Sequence, residues 1–361
     1  MTDIVRAKDV ARRAEVSPGT VSRVFNHHNN VNEELRERVL QAAAELGYFH
    51  RTEGKTREKD GSILPVTVND VGFLFTEWFD EFRAAPSSFW ANILHGAQTE
   101  ATKQQCRLTY YSLQDLQTTS NEYLTQLYNQ HLDGLLLVGP GDEALVKRLQ
   151  SLHVPLVLVD NDIPTLNVDA VLSANLEGAR ASVNYLLARG HRQIAFVGGT
   201  LKVEQHWLSA IYSIEQRFIG YRCALYDAKL PILEEMCVSQ PYTHQTPLSI
   251  EGGYAAGKIL LARQQSLDAI FCASDSVAIG VIKALNEAGL NVPDDISVIG
   301  YDDIDMAQHV YPALTTTRVP KQAMGSVAMK RLLTQLQETQ PLAMTMILPV
   351  ELIERASVRT R

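Results

Sequence analysis

Residues Ser17 to Asn26 read SPGTVSRVFN, and their types and spacing suit contact with base edges and phosphates of a duplex. Arg23 carries a planar guanidinium that can bond guanine O6 and N7 together. Thr20, Ser22 and Asn26 are short polar side chains of the kind that hold phosphates and set register. Pro18 and Gly19 have no polar reach and offer only close approach and apolar contact. One helix must present this set. Ser17 is a good N-cap, and Pro18 then takes the first helical position, where its missing N–H costs nothing. A helix from Pro18 to about Asn26 turns Val21 and Val24 inward and leaves Gly19, Thr20, Ser22, Arg23 and Asn26 outward.

The flanking segments supply its support. In KDVARRA, Val10, Ala11 and Ala14 recur at helical spacing, and small Ala11 lets a second helix cross closely. A short break around Asn29–Val31 precedes Asn32, the next N-cap. Leu35, Val39, Ala42, Ala43 and Leu46 then form one apolar stripe. Two helices joined by a tight turn at Glu15–Val16 make a helix-turn-helix, whose second helix reads base edges with its N-terminal residues. On periodicity alone, a small helical bundle with a polar outer face remains the alternative.

The wording of the segment goes further. D-V-A-x-x-A-x-V-S-x-x-T-V-S-R-V-x-N, followed by V-N-x-x-x-R-x-x-V and E-L-G-Y, closely resembles the N-terminal domain of the LacI/GalR family of bacterial transcription regulators. The resemblance implies operator DNA as a partner, contacted by Ser17, Pro18, Gly19, Thr20, Ser22, Arg23 and Asn26. It also implies that positions 18 and 19 set operator preference.

Composition bounds the rest. A chain of 361 residues exceeds one ordinary domain, and 45% hydrophobic with 20% charged residues describes a globular protein with sizeable cores. Cys106, Cys223, Cys237 and Cys272 form no CxxC pair and read as packing residues in a reducing compartment. There is no charged-then-apolar leader and no apolar run near the membrane-spanning length of about 18 residues. The expectation is a cytoplasmic protein without a membrane partner. Net charge is −8, which by itself speaks against a nucleic-acid binder. Through Asp60, eleven basic and ten acidic residues leave the head at +1 and the remainder at −9. The DNA reading therefore rests on motif and geometry, since charge alone would not have made it.

After His50, the stretch RTEGKTREKDGS is charged and almost free of apolar residues, and it reads as a linker. Beyond it, apolar strands at 71–75, 108–111, 134–138, 156–159, 194–197, 269–272 and 297–299 alternate with amphipathic helices. The helices are expected at 90–103, 121–130, 143–151, 176–189, 217–228, 252–261, 277–288 and 322–335. Such alternation implies parallel sheets covered by helices on both faces. Roughly 300 residues is too much for one sheet, so two doubly wound lobes with a crevice at the strands' carboxyl ends are expected.

Phrases here also resemble the LacI/GalR effector domain: FWANILHGA, ARGHRQIAFVGG, RFIGYRCAL, AIFCASDSVAIGVIKALNEAGLNVPDDISVIGYDD and PALTTTRVP. The fold class implied is an all-α helix-turn-helix head followed by an α/β, periplasmic-binding-protein-like domain of two doubly wound lobes. Residues 1–49 are the head, 50–66 a linker or atypical hinge, and 67–361 the effector-binding and dimerisation domain. The resemblance implies three crossings between lobes, near Ser173, Ile304 and Gln337. That places 67–173 and 305–337 in the first lobe, and 174–304 and 338–361 in the second. It also implies a homodimer, since operators are two half-sites read by two heads.

By the same resemblance, Phe89, Trp90, Asp160, Arg217, Leu248, Ser274 and Asp302 face a small-molecule effector, a sugar or related metabolite. The chemistry is coherent: aromatic faces cover the apolar face of a sugar ring, while Arg and Asp take its hydroxyls. Phe89 reads equally well as core, and Asp275 and Asp303 read better as caps than as ligand contacts. The sequence departs from the family in four places. FHRTEGKTREKD lacks the leucine that wedges into the minor groove, which puts that kinking mode in doubt. Leu248 stands where relatives place a pocket aromatic, with Tyr242 as a candidate substitute. Ala174 precedes Asn175 where an aspartate is usual. A longer segment at 77–88 brings Trp78, Phe79 and Phe82 as candidate lids.

Two other readings share parts of this pattern. An enzyme would need a nucleophile–base pair, a metal-ligand cluster or a P-loop, and the loop glycines of FVGGT and GPG are weak signals. A sugar-binding transport protein shares the fold but needs a signal peptide and no DNA head. The expectation is a DNA-binding regulator of transcription, a repressor, with no catalytic residues, no cofactor and no metal.

Overall fold

The helical head forms where local chemistry demands it. In this computed structural model, α1 spans Ala7–Arg13, α2 Pro18–Phe25 and α3 Glu33–Leu46. Ser17 Oγ accepts the Thr20 N–H at 3.1 Å, and Asn32 Oδ1 accepts that of Leu35 at 2.8 Å, so both expected N-caps are made. Glu15 takes a left-handed φ of 55° in the turn between α1 and α2. Val10, Ala11, Val21, Val24, Val39 and Ala43 close the three-helix core. The structure describes residues 6–25, 31–46, 68, 70–75, 88–113, 122–198, 211–239, 248–263, 265–338 and 341–361.

Two parallel sheets follow. In the first, β1 (Asp70–Phe75), β2 (Arg107–Ser112), β3 (Gly134–Val138), β4 (Leu156–Val159), β5 (Asp169–Ser173) and β11 (Thr345–Leu348) lie in the order β11-β5-β4-β3-β1-β2. In the second, β6 (Ile194–Gly198), β7 (Cys237–Ser239), β8 (Ala269–Cys272) and β9 (Ser297–Ile299) lie in the order β7-β6-β8-β9. The strand period of two assigns the faces. Val71, Phe73 and Phe75 point to the core shared with α4 (Ser88–Lys103) and α11 (Lys321–Gln335), while Leu74 points to that of α5 (Glu122–Asn129) and α6 (Glu143–Gln150). In the second sheet, Ile194 and Phe196 meet α7 (Asn175–Ala188) and α8 (Tyr212–Asp227). Ala195 and Val197 meet α9 (Ile250–Ala262) and α10 (Asp275–Glu287). Helices on both faces explain why these strands are apolar throughout.

Two expected crossings move. Residues 315–318 stay with the second lobe, because Gly300 N–H donates to Thr315 O at 2.9 Å and Asp302 N–H to Thr317 O at 2.8 Å. The chain therefore enters the first lobe after Arg318, not near Ile304. It also stays there past Gln337. Buried Asp169 at the start of β5 accepts from Arg331 Nε at 2.6 Å, and Arg331 Nη2 donates to Leu342 O at 2.7 Å. This ion pair fastens residues 342–344 to the first sheet, and β11 then pairs with β5. The return follows Leu348, where β12 (Glu351–Ile353) pairs antiparallel with β10 (Thr316–Arg318).

Candidate functional site

The carboxyl ends of the two sheets carry aspartates in unusual backbone conformations. Asp160 follows β4 with φ 58°, and Asp302 and Asp303 follow β9 with φ 106° and 51°. Positive φ outside glycine is uncommon, and Asp is one of the few residues that tolerates it. Such positions concentrate at sites where the surrounding structure holds them in place.

Arg217 on α8 is 2% exposed and sits at the end of the second sheet. Its Nε donates to Asn175 Oδ1 at 2.9 Å and its Nη1 to Ala273 O at 2.6 Å. Nη1 also lies 2.9 Å from Asp302 Oδ1, and the guanidinium carbon stands 3.9 Å from the Tyr301 ring centroid. One cation thus ties α8 to the start of α7, the end of β8 and the turn after β9. Three buried polar atoms nearby in the fold lack a hydrogen-bond partner among the described residues, Asp160 Oδ1, Ser173 Oγ and Asn175 Nδ2, while Asp302 Oδ1 has its ion pair with Arg217. An unsatisfied buried polar group costs about 1–3 kcal/mol, so the array favours a molecule that brings matching donors and acceptors.

Burial dominates the electrostatics. It pushes the Asp160 carboxyl up to about 7, with the charge of Asp302 adding to the effect and Arg217 opposing it. Asp302 is likewise raised by burial, against the pull of Arg217 and Lys321. Lys321, at the first turn of α11, donates from Nζ to the carbonyls of Asp302 and Asp303 at 2.5 and 2.9 Å. The same ammonium stands 5.8 Å from the Phe89 ring centroid, and burial pushes its pKa down. It links a helix of the first lobe to a turn of the second.

The head offers a second candidate surface. Pro18, Gly19, Ser22 and Arg23 are exposed on one side of α2, with Thr20 partly so, while Val21 and Val24 are buried on the other. Ser17 Oγ is shared between its capping bond and a 3.0 Å contact to Thr20 Oγ1.

Comparison with known proteins decides what carries these surfaces. Residues 7–50 match the bacterial regulatory proteins of the lacI family, and residues 183–358 match a periplasmic binding protein-like domain. The HTH-type transcriptional repressor PurR of Erwinia tasmaniensis is 32% identical over 358 residues, 97% of this chain and 96% of the relative. The chain belongs to the LacI family. Probable HTH-type transcriptional repressor ExuR of Bacillus subtilis is 29% identical over 358 residues, 99% of each chain. The solved complex of transcriptional regulator CelR with cellobiose superposes with a TM-score of 0.71 at 27% identity, covering 98% of this chain and 99% of that one. These LacI-family relatives are transcription regulators by name, not enzymes. Among the described residues, no His, Cys, Asp or Glu group is arranged to hold a metal, and no helix is long and apolar enough to cross a membrane.

Against this LacI-family frame, the expected effector residues divide. Arg217 and Asp302 are in ion-pair contact, and Asp160 lies within their electrostatic reach. Ser274 spends its hydroxyl on capping α10, accepting from Val277 N–H at 3.3 Å, and it adjoins the Ala273 carbonyl that Arg217 holds. Phe89 is 8% exposed and packs edge-on to Trp90 at 4.8 Å, so it serves the core, with the Lys321 ammonium 5.8 Å from its ring centroid. Trp90 and Leu248 are half-buried at the edges of the core clusters. Asp275 accepts from Thr316 Oγ1 at 2.5 Å and from Ile304 N–H at 2.9 Å, and Asp303 pairs with Arg318 and Arg355. Both therefore act as structural ties. Asn26, Tyr242, Trp78, Phe79, Phe82 and residues 50–60 lie outside the described residues.

Asn175, Ser173 and Lys321 were not singled out as site residues from sequence. Position offered a clue: Asn175 and Ser173 flank the first crossing, and Lys321 directly follows the PALTTTRVP phrase.

Proposed function

We propose that this LacI-family chain is a homodimeric, cytoplasmic repressor whose operator affinity is set by a small polyhydroxylated effector, a sugar or related metabolite, held between the lobes. It is not an enzyme on this reading. The carrying observation is Arg217, buried against Asp302 and Asn175 amid unsatisfied buried acceptors and donors, in a chain that also bears a lacI-family head. Asp160, Arg217 and Asp302 take the effector's hydroxyls, with Phe89, Trp90, Leu248 and Ser274 shaping the pocket. Ser17, Pro18, Gly19, Thr20, Ser22, Arg23 and Asn26 contact the operator, and Arg23 reads a base. Effector binding shifts lobe closure and thereby head spacing, which couples the two sites.

The proposed dimer contact is at Tyr311 on the second lobe, which is 93% exposed beside half-buried Val310. Light scattering should give twice the chain mass, and Tyr311→Asp should reduce it to one.

The deciding experiment screens pentoses, hexoses, disaccharides, uronates and purines by thermal shift. Each hit is then titrated into the protein bound to its own promoter DNA. A metabolite that changes promoter affinity by tenfold or more is the expected result. Stabilising metabolites that leave promoter affinity unchanged would refute an effector-controlled repressor.

A further inference from the structure

The last turn of α2 does not end in solvent. The Val24 carbonyl, in the group that a helix C-terminus leaves without intrahelical partners, accepts a hydrogen bond from the Tyr128 hydroxyl near the end of α5. Phe25 is 3% exposed and sets its ring edge to face against His153, just beyond α6, at 4.7 Å between centroids. From α3, Arg36 Nη1 donates to Asn129 Oδ1 at 3.1 Å, and the guanidinium lies 5.5 Å from the Tyr128 ring centroid. Apolar residues of the head and of α5 and α6 share one buried cluster. The opposite side of α2, with Pro18, Gly19, Ser22 and Arg23, stays exposed.

We propose that the outer α5–α6 face of the first lobe is a docking surface for the chain's own helix-turn-helix head. Tyr128, Asn129 and His153 grip the reading helix by its C-terminal end and α3 by Arg36, and leave the outward side of α2 free. The three contacts differ in kind: a hydroxyl supplied to an orphan carbonyl, an edge-to-face ring pair, and a charge-assisted hydrogen bond with a cation over a ring. A head connected only through residues 47–67 would leave the Phe25 ring and the Val24 carbonyl to water. While seated, the head moves with the first lobe. Lobe displacement then reaches α2 directly through α5 and α6. This consequence for regulation rests on the repressor reading above; the docking itself does not.

The test compares the full chain with the Tyr128→Phe/Asn129→Ala/His153→Ala variant by amide hydrogen exchange, with no DNA or metabolite present. Peptides covering residues 18–25 and 33–46 should exchange at least tenfold faster in the variant. Those covering β3, β4 and β8 should be unchanged, which shows that the lobes remain folded. Tyr128→Phe alone keeps the ring and should give an intermediate rate. Unchanged exchange of residues 18–25 in the triple variant, with its lobes intact, overturns the proposal whether or not the chain proves to be a repressor.

Discussion

Arg217 Nη1 lies 2.9 Å from Asp302 Oδ1, and the guanidinium is at the same time committed to Asn175 and to the Ala273 carbonyl. One cation thus serves two elements on the second lobe's sheet end and the helix that begins where the chain first crosses. Asp160 and Asp302 both sit in its field, and burial raises both carboxyls against its pull. A ligand that hydrogen-bonds those buried carboxyl groups offsets the cost of their burial.

Arg217→Ala should abolish the response to effector and also lower stability, because removing one partner leaves Asp302 charged and buried. Breaking a buried pair this way costs about 3–5 kcal/mol. Adding Asp302→Asn should recover much of that loss while the effector response stays absent. Urea unfolding and calorimetric titration of the metabolite found by screening measure the two separately. An unchanged effector titration in Arg217→Ala would sink the assignment.

Asp160 makes stability depend on pH in a definite direction. Its folded carboxyl is raised from 3.8 to about 7, so the folded state keeps a proton that the unfolded chain releases. Stability is therefore greatest below the unfolded value and declines as pH rises from about 4 to about 7. Asp275, buried and pushed up to about 8, adds a second decline that reaches slightly higher. Asp160→Asn should remove the first component and make the protein more stable than its parent at pH 8. Unfolding curves between pH 5 and 8 with the same slope in both proteins would refute this placement of the proton.

The same residues show why parts of the molecule were legible in the sequence. The head's helices follow from local chemistry: the caps at Ser17 and Asn32 and the apolar stripes act within a few residues of themselves. Strands such as β3, GLLLV, are apolar throughout because both faces are covered. β5, β11 and β12 were not anticipated, since each is short, polar at an end or at an edge, and its pairing is long-range. The crossings were misplaced for a related reason: the Arg331–Asp169 pair joins residues 162 positions apart, and no local pattern announces it. In the site, Arg217 and Asp302 came from resemblance to the family. Lys321 did not, because its meaning depends on carbonyls 18 and 19 residues upstream.

Gly220 sits three residues after Arg217 on α8, and a Cβ there would stand 2.3 Å from Leu176 O and 2.8 Å from Ala179 Cβ on α7. Two effects oppose each other in Gly220→Ala. Helix propensity favours alanine by about 1 kcal/mol, whereas overpacking costs about 1–3 kcal/mol. The obstacle is a backbone carbonyl that cannot swing aside, so the clash should win and the variant should be less stable. Because α8 must back away from α7, Arg217 also loses its grip on Asn175, and effector affinity should fall with it. A variant more stable than its parent would show that α8 has room to move.

Arg23 is exposed on the outward side of α2, and replacing it should not disturb the core beneath. Arg23→Ala should therefore leave the melting temperature unchanged and act only on DNA. Losing a bidentate contact to a guanine costs about 1–3 kcal/mol at the cognate site and relaxes preference at one base pair. A phosphate contact behaves differently: its loss weakens all sequences alike and lowers the salt dependence of binding by about one charge. Competition between the promoter and a scrambled duplex, repeated across salt concentrations, separates the two. A selective loss at the promoter is expected, and equal weakening on both duplexes would reassign Arg23 to the phosphate backbone.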